Sequence, residues 1–250
     1  MNIRAALIGL GLTTTCVPAV AAAPAAAADC QYPAQVLDLT NWKETLPLGS
    51  AGKPTEIRQP ELATYTRSPW FTATPSCAGV QFRAAVNGAT TSGSKNPRSE
   101  LREMTDNGQE NASWSSTSGT HTMTISEAVT NLPAQRPYVV AGQIHDADDD
   151  IAVFRLEGSK LYVTNGDDSH FKLVTSDYAL GTTFEAKFVV HGGQVNAYYN
   201  GVLQTTISTE FSDAYFKAGA YTQANCDNSS PCDDGNFGQV VIHQLTVTHS

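Results

Sequence analysis

Residues 195–202 read Val-Asn-Ala-Tyr-Tyr-Asn-Gly-Val, and no other stretch of the chain indicates the fold so clearly. Strand-forming residues stand on both sides of the pair Asn200-Gly201. Such a pair is typical of a two-residue β-hairpin turn, because both turn residues need a positive φ. The stretch therefore predicts two antiparallel strands joined by a tight turn.

Strand-like segments recur through most of the chain. They are residues 79–86, 98–104, 121–129, 138–145, 151–157, 160–164, 172–174, 184–191, 194–199, 202–207, 215–223 and 238–249. No long segment keeps the 3.6-residue apolar period of a helix, and one short helix is expected around residues 40–45. Many short antiparallel strands predict an all-β protein, a sandwich or jelly roll in which one sheet curves into a groove.

The first residues have the pattern of an export signal. Arg4 precedes an apolar stretch over residues 5–20 and an alanine-rich run that ends at Ala28. This pattern predicts a secretory signal peptide over residues 1–28 and an extracellular mature protein over residues 29–250. No later apolar run approaches the roughly 20 residues needed to cross a bilayer, so no membrane contact is expected. The mature length fits one domain, which is expected to be a monomer.

Four cysteines remain once Cys16 is removed with the signal. An even number in an exported chain predicts two disulfides, Cys226–Cys232 as a short loop staple and Cys30–Cys77 as its complement. Metal binding is the alternative, but neither pair has the CxxC spacing of metal sites.

The formal net charge is −9, which argues against nucleic acid as a partner. Any anionic ligand must then be held by a local cationic patch. Acidic residues cluster at positions 146–150 and 227–234. A solvated surface is the preferred interpretation of these clusters, with a calcium site as the alternative.

Three predicted strands carry polar residues at every second position, which places those side chains on one face of a sheet. The residues are Arg98, Glu100 and Arg102 in the first strand, Gln143 and His145 in the second, and Lys217, Tyr221 and Gln223 in the third. Neighbouring faces would form a patch of cationic groups with a histidine, a tyrosine and amides.

Each element of this patch also has a structural interpretation. The arginines could form exposed ion pairs that contribute little to stability. A lone histidine in a strand is more often structural than catalytic, and Tyr221 could pack half-buried with its hydroxyl satisfied. Together, however, the residues combine carboxylate-binding groups with a candidate general base and a candidate general acid.

Three blocks of sequence carry a resemblance to a known family. They are Arg-Ser-Glu-Leu-Arg-Glu at 98–103, Gln-Ile-His at 143–145 and Tyr-Phe-Lys-Ala-Gly-Ala-Tyr-Thr-Gln at 215–223. In this order and spacing, the chain resembles the alginate lyases of polysaccharide lyase family 7. The likeness extends over essentially the whole mature chain, including residues 90–97.

The resemblance implies a β-jelly-roll whose concave sheet binds alginate, an acidic polysaccharide, and cuts it by β-elimination. Arg98, Gln143, His145 and Tyr221 would be catalytic, and Glu100, Arg102, Lys217 and Gln223 would line the groove. The scheme requires no metal or organic cofactor. Endolytic cutting and a preference for guluronate are expected, the latter because Ile144 occupies the centre of the second block.

Other functions need similar groups. A lyase acting on another polyuronate, such as glucuronan, is the nearest alternative. A non-catalytic carbohydrate-binding sandwich would need only a groove with arginines and aromatic residues. A glycoside hydrolase is disfavoured, because it normally uses two carboxyl groups and Glu100 has no obvious partner.

Overall fold

The computed structural model describes Met1 and residues 29–250, so all but the first residue of the predicted signal peptide lies outside the described residues. Sixteen strands and two short 3-10 helices, Pro33–Gln35 and Glu61–Thr64, make up the described part. The strands are β1 (Trp42–Ser50), β2 (Lys53–Ile57), β3 (Phe71–Ala73), β4 (Val80–Ala85), β5 (Arg98–Thr105), β6 (Glu110–Asn111), β7 (Thr120–Asn131), β8 (Tyr138–His145), β9 (Asp150–Glu157), β10 (Lys160–Val163), β11 (Lys172–Thr175), β12 (Phe184–His191), β13 (Gln194–Tyr199), β14 (Val202–Ser208), β15 (Tyr215–Thr222) and β16 (Phe237–His249).

The strands form two antiparallel sheets that pack face to face. The larger sheet has the order β11-β10-β9-β8-β15-β5-β1-β2, with β6 paired to β5, and the smaller sheet has the order β14-β13-β12-β7-β16-β4-β3. Apolar side chains from the inner faces fill the space between them, as where the rings of Phe154 and Phe188 lie 4.9 Å apart. The predicted all-β sandwich is confirmed.

The hairpin predicted over residues 195–202 is present. Strands β13 and β14 pair on either side of Asn200-Gly201, whose φ angles are 49° and 76°. Positive φ at both positions is the requirement of the tight hairpin turn. The Asn200 side chain also accepts a hydrogen bond from the Glu185 amide at 2.8 Å, which ties the turn to β12.

All twelve predicted strand segments are strands, but the predicted helix around residues 40–45 is wrong. Residues 42–50 form β1 inside the larger sheet. Trp42 and Leu46 belong to the core, whereas Lys43 and Thr45 line a cavity on the other face, so the segment follows the two-residue period of a strand. Strands β2, β3 and β6 were also not predicted.

Both predicted disulfides are present, Cys30–Cys77 and Cys226–Cys232. Cys30–Cys77 ties the first described residues to the turn between β3 and β4. Among the described residues, no helix is long and apolar enough to cross a membrane.

One ionisable side chain lies in the core without a partner. Glu127 on β7 is fully buried, and neither of its carboxylate oxygens has a hydrogen-bond partner among the described residues. Its cross-strand neighbours are Phe184 and Ile242. Burial raises the pKa of Glu127 to about 8, because the apolar surroundings disfavour the charged form.

We predict that Glu127→Gln stabilises the protein at alkaline pH. The unfolded carboxyl ionises near pH 4.3 and the folded one near 8, so the wild type loses roughly 1.4 kcal/mol for each pH unit between these values. The variant does not lose this stability, because glutamine has no ionisable group. Its free energy of unfolding in urea should match or trail the wild type near pH 4 and exceed it near pH 8.

Glu185→Gln, on the neighbouring strand, is the matched control, since Glu185 is only partly buried. The control should follow the wild-type pH dependence. If Glu127→Gln and the wild type have parallel stability curves from pH 4 to pH 8, Glu127 is not a neutral buried carboxyl.

Candidate active site

The three polar strand faces lie side by side in the larger sheet. Strand β15 pairs with β5 on one side and with β8 on the other. Lys217 stands opposite Arg102 on β5 and opposite Gln143 on β8, and Tyr221 stands opposite Arg98. The structure therefore joins the predicted residues on the outer face of one sheet.

A buried carboxylate organises the centre of this face. Glu100 is 1% exposed, and its Oε2 lies 3.1 Å from Arg98 Nη1 and 2.7 Å from Lys217 Nζ. Its Oε1 accepts a short hydrogen bond from Gln143 Nε2. One anion thus positions two cations and an amide, each from a different strand.

The charges at this centre are set by burial and pairing. Burial alone would raise the pKa of Glu100, but the positive charges of Lys217 and Arg98 outweigh it and hold the pKa below its usual value. Burial lowers the pKa of Lys217 to about 8 despite the attraction of Glu100. At neutral pH the centre consists of one anion and two cations and carries a net positive charge.

His145 ends β8 with one ring nitrogen engaged. Its Nδ1 lies 2.6 Å from the carbonyl oxygen of Asp146 and 3.2 Å from the hydroxyl of Tyr215. A carbonyl oxygen only accepts, so Nδ1 carries the hydrogen and Nε2 keeps its lone pair. Burial, helped by the charge of Lys217, lowers the pKa of His145. The neutral ring is therefore equipped to accept a proton at Nε2.

Tyr221 provides a hydroxyl group at the opposite end of β15. This hydroxyl lies 2.8 Å from Ser94 Oγ, and the Arg98 guanidinium lies 3.9 Å from the centre of its ring. Ser94 Oγ also has the Asn96 carbonyl oxygen within reach at 3.2 Å, and when its hydrogen is directed there, the Tyr221 hydroxyl is the donor toward Ser94. Tyr221 thus presents a proton at the edge of the site.

These groups surround one cleft of about 360 Å³ on the outer face of the larger sheet. Two loops border it from opposite ends of the strands, residues 91–94 before β5 and residues 147–149 after β8. Between the loops, the lining extends across the strands from Glu56 on β2 to Asp150 on β9. His145 stands near one loop and Tyr221 near the other.

Two predicted residues lie outside the cleft lining. Glu100 is covered by the groups that it binds, so it positions them. Gln223 lies beyond the end of β15, where its Oε1 accepts a hydrogen bond from Arg155 at 3.2 Å. Arg98, Arg102, Gln143, His145, Lys217 and Tyr221 all line the cleft.

Tyr215 and Lys43 also line the cleft but were not among the predicted site residues. The Tyr215 ring stacks on His145 with centroids 5.4 Å apart, and its other neighbour is the Arg102 guanidinium at 3.8 Å. Tyr215 is two positions from Lys217 on β15 and therefore lies on the same face of the sheet, so the two-residue period of the strand could have predicted it. Lys43 lines the cleft from β1 and was hidden by the wrong helical prediction.

Gly219 allows β15 to approach β5 under the site. Its φ is 145°, and a Cβ atom there would lie 2.5 Å from the Ser99 carbonyl oxygen and 2.8 Å from Glu100 Cα. The pairing of β15 with β8 also shifts by one residue at this point. Only glycine fits this close approach, and the bulge sets the register of β15 against β8 that places Tyr221 opposite Val140.

An acidic loop forms one wall of the cleft. Asp148, Asp149 and Asp150 border it, and the Asp146 carboxylate accepts hydrogen bonds from the amides of Asp148 and Asp149. Burial and the neighbouring Asp149 raise the pKa of Asp150 to about 6. No group of three or more metal-ligating side chains occurs within the described residues.

Comparison with known proteins identifies the family. A family model described as alginate lyase matches residues 37–249, which is most of the chain. A comparison with curated proteins found no significant match.

Solved structures agree with this assignment. The alginate lyase from Corynebacterium sp. is 67% identical, with a TM-score of 0.87 over 88% of this chain and 99% of that one. Alginate lyase AlgAT5 from polysaccharide lyase family 7 is 48% identical, with a TM-score of 0.83 over the same shares. Family 7 alginate lyase A1-II′, solved in complex with the substrate GGMG, is 25% identical, with a TM-score of 0.74 over 89% of this chain and 98% of that one. The chain therefore belongs to the alginate lyases of polysaccharide lyase family 7.

Proposed function

We propose that this alginate lyase cuts within alginate chains by β-elimination, prefers guluronate-containing blocks, and uses Arg98, Gln143, His145 and Tyr221 as its catalytic group. One observation carries the proposal. A neutral histidine and a tyrosine hydroxyl flank a buried cationic centre in one cleft. The complex of A1-II′ with GGMG supports an oligosaccharide as the occupant of that cleft.

The cationic centre can promote removal of the C5 proton, which is the chemically difficult step of the reaction. The C5 proton of a uronate is weakly acidic because its removal adds negative charge beside an ionised carboxylate. Arg98 has N–H groups left beyond the one that binds Glu100, and Gln143 has a second amide hydrogen. These donors can hold the substrate carboxylate and stabilise the charge as it develops, which is commonly the largest catalytic term.

The proton transfers follow from the states of the two flanking residues. His145 takes H5 at Nε2, and the electrons of the C5–H bond form the double bond between C4 and C5. The bond between C4 and O4 breaks, and Tyr221 donates its hydroxyl proton to O4. The products are a new chain end and an unsaturated uronate.

The cleft geometry favours endolytic action. Its lining extends across the strands from Glu56 on β2 to Asp150 on β9, with the catalytic group between them, so we expect a chain to lie across the strands and extend past this group on both sides. We further propose that residues 1–28 direct export and that the mature enzyme, stapled by its two disulfides, works outside the cell as a monomer.

We predict that His145→Ala and Tyr221→Phe each lower kcat by about 10²–10⁴-fold, the usual contribution of a general base or acid. The rate is followed as ultraviolet absorbance of the new double bond on purified alginate. His191→Ala and Tyr198→Phe, both on the smaller sheet, are the matched controls and should keep wild-type rates. If either variant folds and retains most of its activity, the substituted residue is not the general base or acid.

We predict that Arg98→Lys lowers kcat/KM by at least about tenfold, a loss of roughly 1.4 kcal/mol of transition-state stabilisation. An ammonium group keeps the charge but cannot contact Glu100 and the substrate carboxylate in one plane. Arg67→Lys, at an exposed position outside the sheets, controls for the exchange itself. If Arg98→Lys has near-normal kinetics, Arg98 contributes only its positive charge and not a planar contact.

The guluronate preference rests on stereochemistry. In guluronate, H5 and O4 lie on opposite faces of the ring, so a base and an acid are needed on two sides. His145 and Tyr221 lie near opposite loops of the cleft. In mannuronate, H5 and O4 lie on the same side, where one tyrosine could serve both roles. Ile144 is fully buried in the core, so its influence on the preference can act only through the packing of β8.

We predict faster release of unsaturated product from polyguluronate than from polymannuronate under identical conditions. His145→Ala should lose more of its rate on polyguluronate than on polymannuronate, because only the former requires a separate base. Faster cleavage of polymannuronate by the wild type would refute the preference, whereas equal rates would make the enzyme bifunctional.

A further inference from the structure

The outer face of the larger sheet carries a second arginine site beyond the cleft. Arg155 on β9 bonds through Nε to Glu157 Oε1 at 2.6 Å and through Nη1 to Gln223 Oε1 at 3.2 Å. Its guanidinium lies 5.1 Å from the centre of the Tyr138 ring. Arg155 and Glu157 are largely buried, with 13% and 11% of their side chains exposed.

This site repeats the composition of the catalytic centre. In both, a glutamate two residues after the arginine holds its guanidinium, a glutamine from a distant part of the chain bonds to one member of this pair, and a tyrosine ring lies beside the guanidinium. The catalytic centre uses Arg98, Glu100, Gln143 and Tyr221, and the second site uses Arg155, Glu157, Gln223 and Tyr138. His170 contacts the carboxylate of the second site at 2.8 Å, whereas His145 forms no ion pair within the described residues and keeps Nε2 free.

The second site also has a surplus of positive charge. The Arg136 guanidinium also lies beside Tyr138, 5.3 Å from the ring centre, and Arg136 forms no ion pair within the described residues. Its Nε is buried and has no hydrogen-bond partner there. Glu157 is shared between Arg155 and His170, whose Nε2 lies 2.8 Å away. Arg136 as a whole is only partly buried, so its terminal guanidinium N–H groups, and not Nε, are the donors that remain for an added carboxylate.

The register of the strands aligns the two sites. Arg98 is paired with Tyr221, Tyr221 with Val140, and Val140 with Arg155, so these residues form one row across the sheet. Three strand spacings of about 4.8 Å separate the ends of the row by about 14 Å, the length of a few sugar residues. A polysaccharide that leaves the cleft across the strands passes over the second site.

We propose that Arg155 and Arg136, placed beside Tyr138, form a remote subsite that binds the carboxylate of a uronate residue a few sugars away from the bond that is cut. The proposal rests on the proposed function, because it assigns the occupant to the same chain. Contacts made so far from the reacting atoms are equal in the ground and transition states, so the subsite lowers KM and leaves kcat unchanged.

The test compares chain lengths. The wild type, Arg155→Gln and Arg136→Gln are assayed on oligoguluronates of increasing length and on polyguluronate. Lys187→Gln, on the smaller sheet, removes the same charge at a distance and serves as the control. Two independent arginine variants are used because Arg155→Gln leaves Glu157 with His170 alone, and thermal unfolding checks that each variant folds.

The wild type and the control should gain kcat/KM with length until the chain reaches the second site. On long substrates, kcat/KM of both arginine variants should be about tenfold lower than that of the wild type, which is the usual effect of losing a charge-assisted hydrogen bond. The decrease should come from a higher KM, and short substrates should be unaffected. Folded arginine variants that match Lys187→Gln at every length, or that lose equally on the shortest and longest substrates, overturn the subsite. A wild type that cleaves no uronate polymer would instead refute the proposed function.

Discussion

The Glu100 carboxylate accepts contacts from Arg98, Lys217 and Gln143 at a depth that solvent does not reach. Taking its charge out of water is costly, and only the three donors offset that cost. Breaking one buried partner of such a network typically costs about 3–5 kcal/mol, so each donor is strongly held in place. The arrangement of the cleft side chains depends on this anion, although it lies beneath the cleft and not in it.

The same anion allows an acidic protein to act on a polyanion. The net charge of −9 repels alginate as a whole, and Asp148 to Asp150 add an acidic wall to the cleft itself. Two cations around one buried glutamate leave a local positive surplus, and Arg136 and Arg155 repeat that surplus farther along the sheet. The positive surplus is therefore local, and acidic residues border it.

The alternation of polar and apolar residues predicted most strands correctly. It failed where polar residues are buried, because hydropathy does not alternate there. Segments with a clear two-residue period, such as β12 and β13, were predicted to the residue. Strand β1 was mistaken for a helix because Lys43, Glu44 and Thr45 are polar yet buried, so hydropathy did not alternate. Its position between β5 and β2 turned it into a strand, because the sheet supplies hydrogen-bond partners on both sides.

The sequence by itself determined the fold class, the disulfide pairs and the family, because hairpin turns, cysteine parity and the three blocks are local patterns. It also showed that polar side chains share a strand face. Only the tertiary structure decided which faces are neighbours, since register depends on pairings such as that of Tyr221 with Arg98 and on the Gly219 bulge. It alone buried Glu100, moved Gln223 to Arg155 and brought Tyr215 to His145, because burial and contact arise from residues far apart in the chain.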